Sequence, residues 1–234
     1  RWEGEAMQRQ MEQLAEADRR KDQFLALLGH ELRNPLAPMM AGLELLRAKF
    51  ESAPIDDELR RTRDVLEKQT RHLTRLVDDL LDISRITSGK IELRKGRVQV
   101  RELVEQAIAI SRPLIEELGH ELRVEQPLDN LCLHGDVVRL TQVLANLLNN
   151  AARYTPPQGK IVLRVLRAGP YVHLTVADNG RGISPEFLGK VFEAFSQERT
   201  HASSGLGLGL AVVNNLVQLH GGEVTAKSEG AGRG

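Results

Sequence analysis

Two sets of apolar residues recur along the first third of this chain at intervals of seven. Leu25, Leu32, Met39 and Leu46 make one set, and Leu59, Leu66, Leu73 and Leu80 make the other, with Leu76 and Ile83 on the adjoining seam. A seven-residue repeat keeps one stripe of an α-helix turned toward a partner helix. Ala53-Pro54 falls between the runs as a turn, and Asp56-Asp57 suits a helix start. The pattern predicts an antiparallel helical hairpin whose stripes are too wide for one helix pair to bury. Two copies would bury them as a dimeric four-helix bundle. Upstream, Met7, Met11 and Leu14 continue the helix as a parallel coiled coil, weakened where Asp18 and Lys21 interrupt the seam.

Near residue 90 the pattern changes. Glycine, almost absent before, becomes frequent, and β-branched alternating runs appear after Ser88-Gly89-Lys90. Helical periodicity is expected over 104–118, 136–153 and 211–220, the second opening on Asp136 as N-cap. Strands are expected at 122–125, 131–134, 160–166, 172–177 and 223–227. This order reads as a two-layer α/β sandwich with helices on one sheet face, so the fold class is α plus α/β.

Composition narrows the function. Among 234 residues, 32 Lys+Arg balance 32 Asp+Glu, so the basic excess of a nucleic-acid or anionic-membrane binder is missing. Aromatic residues are 3%, which disfavours base stacking on an aromatic platform. Cys132 is the only cysteine, which excludes an intramolecular disulfide and a cysteine zinc cluster; between Leu131 and Leu133 it reads as a buried, inert thiol. No apolar run approaches the ~18 residues that span a bilayer, so no membrane contact is expected from this stretch. The chain opens on Arg1 and reads as a fragment, with any sensor or membrane segment of the parent outside it.

Four segments carry residue types suited to chemistry. In Gly29-His30-Glu31-Leu32-Arg33-Asn34-Pro35, His30 falls at heptad position f, pointing furthest from the seam. Packing does not need a histidine there. A solvated surface side chain is the plain reading, although Glu31 beside it can take a proton from a nucleophilic imidazole. A zinc-protease pair fails, because Asn34 stands where the second histidine belongs. Pro35 removes a backbone donor and bends the helix just past His30. In Asn146-Leu147-Leu148-Asn149-Asn150-Ala151-Ala152-Arg153-Tyr154, the residues Asn146, Asn150 and Arg153 share one helix stripe. Amide oxygens suit Mg, and a guanidinium suits phosphate oxygens. Three asparagines within five residues of a helix are costly enough to need a reason. Asp178-Asn179-Gly180-Arg181-Gly182 follows an expected strand; it reads equally as a plain turn or as a carboxylate placed for an adenine amino group, with glycines beneath a flat base. Gly205-Leu206-Gly207-Leu208-Gly209 opens a helix, where free amides and the positive dipole end receive phosphate, yet it matches neither a Walker loop nor a dinucleotide fingerprint.

In this order and spacing, the four segments resemble the phosphoacceptor, asparagine and two glycine boxes of the sensor histidine kinases of two-component signalling. Phe192-Glu193-Ala194-Phe195 is similar to that family's phenylalanine motif. The resemblance runs from about Lys21 to the end. It implies a coiled-coil signalling helix over 1–20, a dimerisation and histidine phosphotransfer domain over 21–88, and a catalytic ATP-binding domain of the Bergerat (GHKL) type over 95–234. It implies ATP and Mg, with His30 as phosphoacceptor, Glu31 as its proton acceptor, and Asn34 orienting water for phosphatase action. It further implies Asn150 on Mg, Asn146 and Arg153 near the phosphates, Tyr154 lining the nucleotide pocket and Asp178 reading adenine. Gly180 and Gly182 would shape the base site, and Gly205, Gly207 and Gly209 the phosphate site. A homodimer, an upstream sensor domain, a response regulator or receiver domain, and a cytoplasmic location follow from the same resemblance. Two departures stand out. The lid segment 196–204 is short, with Arg199 as its one certain cation, and the chain stops at Gly234 where the family continues into one more strand. A water-using ATPase of the same superfamily and a pseudokinase scaffold are the rival readings.

Overall fold

The computed structural model describes residues 35–36, 38–46, 61–66, 69–70, 73–74, 76–77, 80, 82, 91–126, 130–198, 206–230, 232 and 234. His30, Glu31, Asn34, Gly205, Arg199, the heptad residues Leu25, Leu32 and Leu59, and the linker around Gly89 lie outside them. The chain divides into two units, one of residues 1–81 with 199–206, the other of 82–198 with 207–234.

In the first unit, 38–46 and 61–66 are helical, as are the described residues between 69 and 80. Gly42 is buried where the helical stretches meet. An added Cβ there would lie 3.1 Å from the Leu66 side chain and 3.3 Å from Thr62, so only a small residue permits this approach. Leu76 is buried, while Met39, Leu46, Leu66, Leu73 and Leu80 are half-buried. Met40, Leu43 and Val65 are exposed.

The second unit runs β1 (Gly96–Gln99), α1 (Val100–Glu117), β2 (Glu121–Glu125), β3 (Cys132–Gly135), α2 (Val137–Tyr154), β4 (Lys160–Ala168), β5 (Tyr171–Asp178), α3 (Pro185–Leu188) and α4 (Gly209–Leu219). β1 and β3 form an antiparallel pair, and β2, β4 and β5 form a separate sheet in that order, parallel then antiparallel. Ile161, Leu163 and Val165 alternate inward from β4 and meet Val104, Ala107 and Ile115 of α1 and Leu144, Leu148 and Ala152 of α2. Arg164 and Leu166 face outward. One covered and one solvated face is the usual pattern of such a sheet, and it gives the expected two layers.

Three local expectations need correction. α1 begins at Val100 rather than 104, because the buried stripe Val100, Leu103, Val104, Ala107, Ser111 and Ile115 already holds helical spacing at its first turn. The stretch 223–227 is not a strand. Val224, Ala226 and Ser228 are half-buried between exposed neighbours, so the alternation exists, but a strand also needs a partner's ladder. Cys132 is half-buried rather than buried, and its Sγ accepts a hydrogen bond from Arg97 Nε at 3.4 Å. No helix among the described residues is long and apolar enough to cross a membrane.

Candidate nucleotide site

α2 is the element on which the site is built, and both its ends are fixed. Asp136 caps the first turn, its Oδ1 accepting the N–H groups of Val138 and Arg139 at 3.0 and 3.2 Å, while Oδ2 accepts that of Arg94 at 2.9 Å. Burial pushes this carboxyl upward, but the three backbone donors and the Arg139 guanidinium outweigh it and hold it below the usual carboxylate range. The N–H of Asp136 itself donates to Nε2 of His220, whose Nδ1 is 2.7 Å from the Leu216 carbonyl at the end of α4. At the other end, His120 Nδ1 accepts the Gly159 N–H and Nε2 donates to the Ala152 carbonyl at 2.9 Å.

Between these anchors, the apolar positions Leu144, Leu148, Ala151 and Ala152 face the core. Asn146, Asn150 and Arg153 fall on another side of the helix, with Arg153 exposed. The Asn146 Nδ2 donor is buried and lacks a hydrogen-bond partner. A buried donor left unmatched costs about 1–3 kcal/mol, so an acceptor brought by water or by a ligand would suit it. Anionic oxygen is the acceptor that suits it.

The turn after β5 is clamped to the end of α2. Arg181 N–H donates to the Tyr154 carbonyl at 3.0 Å, Lys160 N–H donates to Asn179 Oδ1 at 2.7 Å, and the Arg181 guanidinium lies 4.4 Å from the centre of the Tyr154 ring. These contacts bring Tyr154 and Asp178 together, 24 positions apart in sequence. Asp178 Oδ1 accepts the Gly180 N–H at 2.9 Å, leaving the other carboxylate oxygen for a donor. Gly180 has no room for a side chain: an added Cβ would lie 2.5 Å from the Tyr154 carbonyl and 2.6 Å from Asp178 Oδ1. Gly182 has φ +69°, and an added Cβ would meet the Gly230 carbonyl. The tail folds back here, with Gly232 and Gly234 donating to the Arg181 and Gly180 carbonyls.

At the start of α4, Gly207 takes φ +65°, and an added Cβ would lie 2.6 Å from the Ser196 carbonyl. Phe195 donates to the Gly207 carbonyl, which ties the residue before the lid segment to the start of α4. Gly209 is the first residue of α4, and α4 packs on α2. The asparagine and second glycine segments therefore belong to neighbouring helices. Thr155, which no motif drew attention to, is buried beside Gly180. The only signal in the sequence was its place directly after Tyr154.

A purine nucleotide fits these groups: a carboxylate with a free oxygen at one end, an orphaned amide donor and helix-start amides at the other. Comparison with known proteins agrees. The His Kinase A (phospho-acceptor) domain model matches residues 20–89, and the histidine kinase-, DNA gyrase B- and HSP90-like ATPase model matches residues 135–234. The histidine protein kinase DivJ of Caulobacter vibrioides is 34% identical over 212 residues, covering 89% of this chain and 35% of DivJ. The autoinducer 2 sensor kinase/phosphatase LuxQ of Vibrio cholerae is 36% identical over 222 residues, covering 92% of this chain and 25% of LuxQ. Full-length ShkA, solved in complex with AMPPNP, matches with a TM-score of 0.63 at 32% identity, covering 89% of this chain and 43% of ShkA. The chain thus spans only 35% and 25% of the lengths of DivJ and LuxQ. Two family models matched in order on a helical unit and an α/β unit carry one conclusion: the chain belongs to the sensor histidine kinases, a phosphoacceptor helical region joined to a GHKL-type ATPase domain.

Proposed function

We propose that this chain uses ATP to phosphorylate His30 and then passes the phosphoryl group to an aspartate of a response regulator or receiver domain. The observation that carries the reading is the turn after Asp178, held to the Tyr154 carbonyl by the Arg181 N–H, together with the buried, unpartnered Asn146 amide on the α2 helix that ends in Tyr154. Asp178 would read the adenine amino group, and Tyr154, Gly180 and Gly182 would wall the base. Asn146, Arg153 and the amides at Gly205, Gly207 and Gly209 would hold phosphate oxygens. Asn150 would bind Mg through its amide oxygen, and the metal supplies charge neutralisation on the phosphates when bound.

Phosphoryl transfer to nitrogen asks for in-line placement, neutralised charge and somewhere for the imidazole proton to go. A free imidazole, with a pKa near ~6.5, is mostly neutral at pH 7. Glu31 is then needed as the N–P bond forms and the bond to ADP breaks, when it takes the ring proton. Asn34, three residues beyond Glu31, would orient water against a regulator's aspartyl phosphate, since an amide donates and accepts at once. The dimeric four-helix bundle, the coiled coil over 1–20, the domain limits 21–88 and 95–234, an upstream sensor and a cytoplasmic location belong to the same proposal.

The test is incubation with γ-labelled ATP and Mg. Acid-labile, base-stable label on His30 is expected, and Glu31→Gln should slow its appearance by about 10²–10⁴-fold, the usual worth of general acid–base help. Phosphate release with no label on protein would replace this reading with a water-using ATPase.

A further inference from the structure

Among the described residues, two buried side-chain polar atoms lack a hydrogen-bond partner, Asn146 Nδ2 and Thr155 Oγ1. The proposed function gives the first an acceptor and leaves the second unexplained. Thr155 is 4% exposed and follows α2 directly, its N–H donating to the Ala151 carbonyl. Its rotamer is set by packing. The methyl Cγ2 abuts Gly159, where an added Cβ would lie 2.1 Å away, and Oγ1 turns toward the Asp178–Gly180 turn. A Cβ built on Gly180 would lie 2.9 Å from Thr155 Oγ1 and 2.6 Å from Asp178 Oδ1, so both oxygens border the same small space beside Gly180. Two oxygens bordering one such space are within reach of a single bridging water, and water-mediated bonds hold nearly as well as direct ones.

A hydroxyl without a partner therefore faces a carboxylate with lone pairs to spare. We infer that Thr155 is a positioning residue of the base site: its hydroxyl donates to Asp178, directly or through one water, and holds the carboxylate with its free oxygen toward the purine amino group. The inference rests on the reading of Asp178 as the group that recognises adenine. It gives Thr155 no contact with the reacting atoms.

The experiment measures calorimetric affinities of the full chain for ADP and for inosine diphosphate, which lacks the amino group. Thr155→Val, which keeps the shape and removes the hydroxyl, should weaken ADP by about tenfold and barely change inosine diphosphate. Thr155→Ser should stay near wild type. Wild-type preference for ADP in Thr155→Val, or equal losses in the Val and Ser variants, would each overturn the proposal. Asp178→Asn separates the two layers. If it leaves the preference intact, the base reading fails and takes this inference with it. If it abolishes the preference while Thr155→Val preserves it, the inference about Thr155 alone is wrong.

Discussion

Gly180 shows how much of the site depends on single atoms. Its α-carbon lies against the Tyr154 carbonyl, Asp178 Oδ1 and Thr155 Oγ1, so one methyl group would have to displace backbone rather than a flexible side-chain tip. Gly180→Ala should destabilise the second unit by about 1–3 kcal/mol, the range for overpacking a filled site. It should also weaken ADP about tenfold or more, because the strain falls on the clamp between Arg181 and Tyr154. Gly189→Ala is the matched control, since nothing lies within 4 Å of an added Cβ there. Thermal melts and calorimetry on the pair decide it, and equal behaviour of the two variants would mean that the turn yields easily. Asp178, Gly180 and Gly182 were marked in the sequence as an acid and two glycines after an alternating run, a pattern that reads equally as a plain turn until the family resemblance singles it out. Thr155 was not. A threonine after a helix usually meets solvent, and only the close approach of Gly159 and Gly180 turns its hydroxyl inward.

At the scale of elements, α2 was the easiest to read and is the best anchored. Its apolar spacing and its Asp136 cap are both visible in sequence, and the structure adds three donors to that carboxylate. The fastening by His220 and His120 was invisible, because each joins segments far apart in the chain. β1 was missed for a related reason. With one buried residue, Val98, it has no pattern of its own and exists through its ladder to β3. The converse holds at 223–227, where the alternation is plain and the ladder is missing. Asp136→Ala should cost about 1–2 kcal/mol at neutral pH, the upper range for losing an N-cap. The folded-state pKa of Asp136 lies below its unfolded value, so this contribution is fully present above roughly pH 4 and fades as pH falls through the folded value. Urea melts of wild type and Asp136→Ala should therefore differ most near pH 7 and converge toward pH 3. A gap that persists undiminished in acid would mean the cap works through shape rather than charge.

For the molecule as a whole, the two units differ in how complete they are. The second has its own core, in which Leu144, Leu148, Ile161 and Leu163 are fully buried. The first leaves Met40 and Leu43 63% and 58% exposed, although its helical stretches already approach as closely as Gly42 allows. Large apolar groups that remain exposed after a hairpin has closed favour association with a second copy, and a seven-residue repeat is the pattern through which helices do so. Leu66, which abuts Gly42 and lies on the repeat, is the place to test this. Leu66→Asp would set one carboxylate from each copy into a shared apolar seam, a cost of several kcal/mol. Sedimentation should then show monomer or a chain with an unfolded helical unit. Label on His30 should fall away, because its helix has lost the bundle that supports it. Binding of ADP should remain at wild-type strength, since Asn146, Tyr154, Asp178 and the core beneath them all belong to the second unit. The three readouts separate the possible errors. A well-folded dimer of Leu66→Asp would mean that the seam runs through other residues. Loss of ADP binding along with the dimer would mean that the nucleotide site depends on the helical unit, and the independence inferred from the separate core would be wrong.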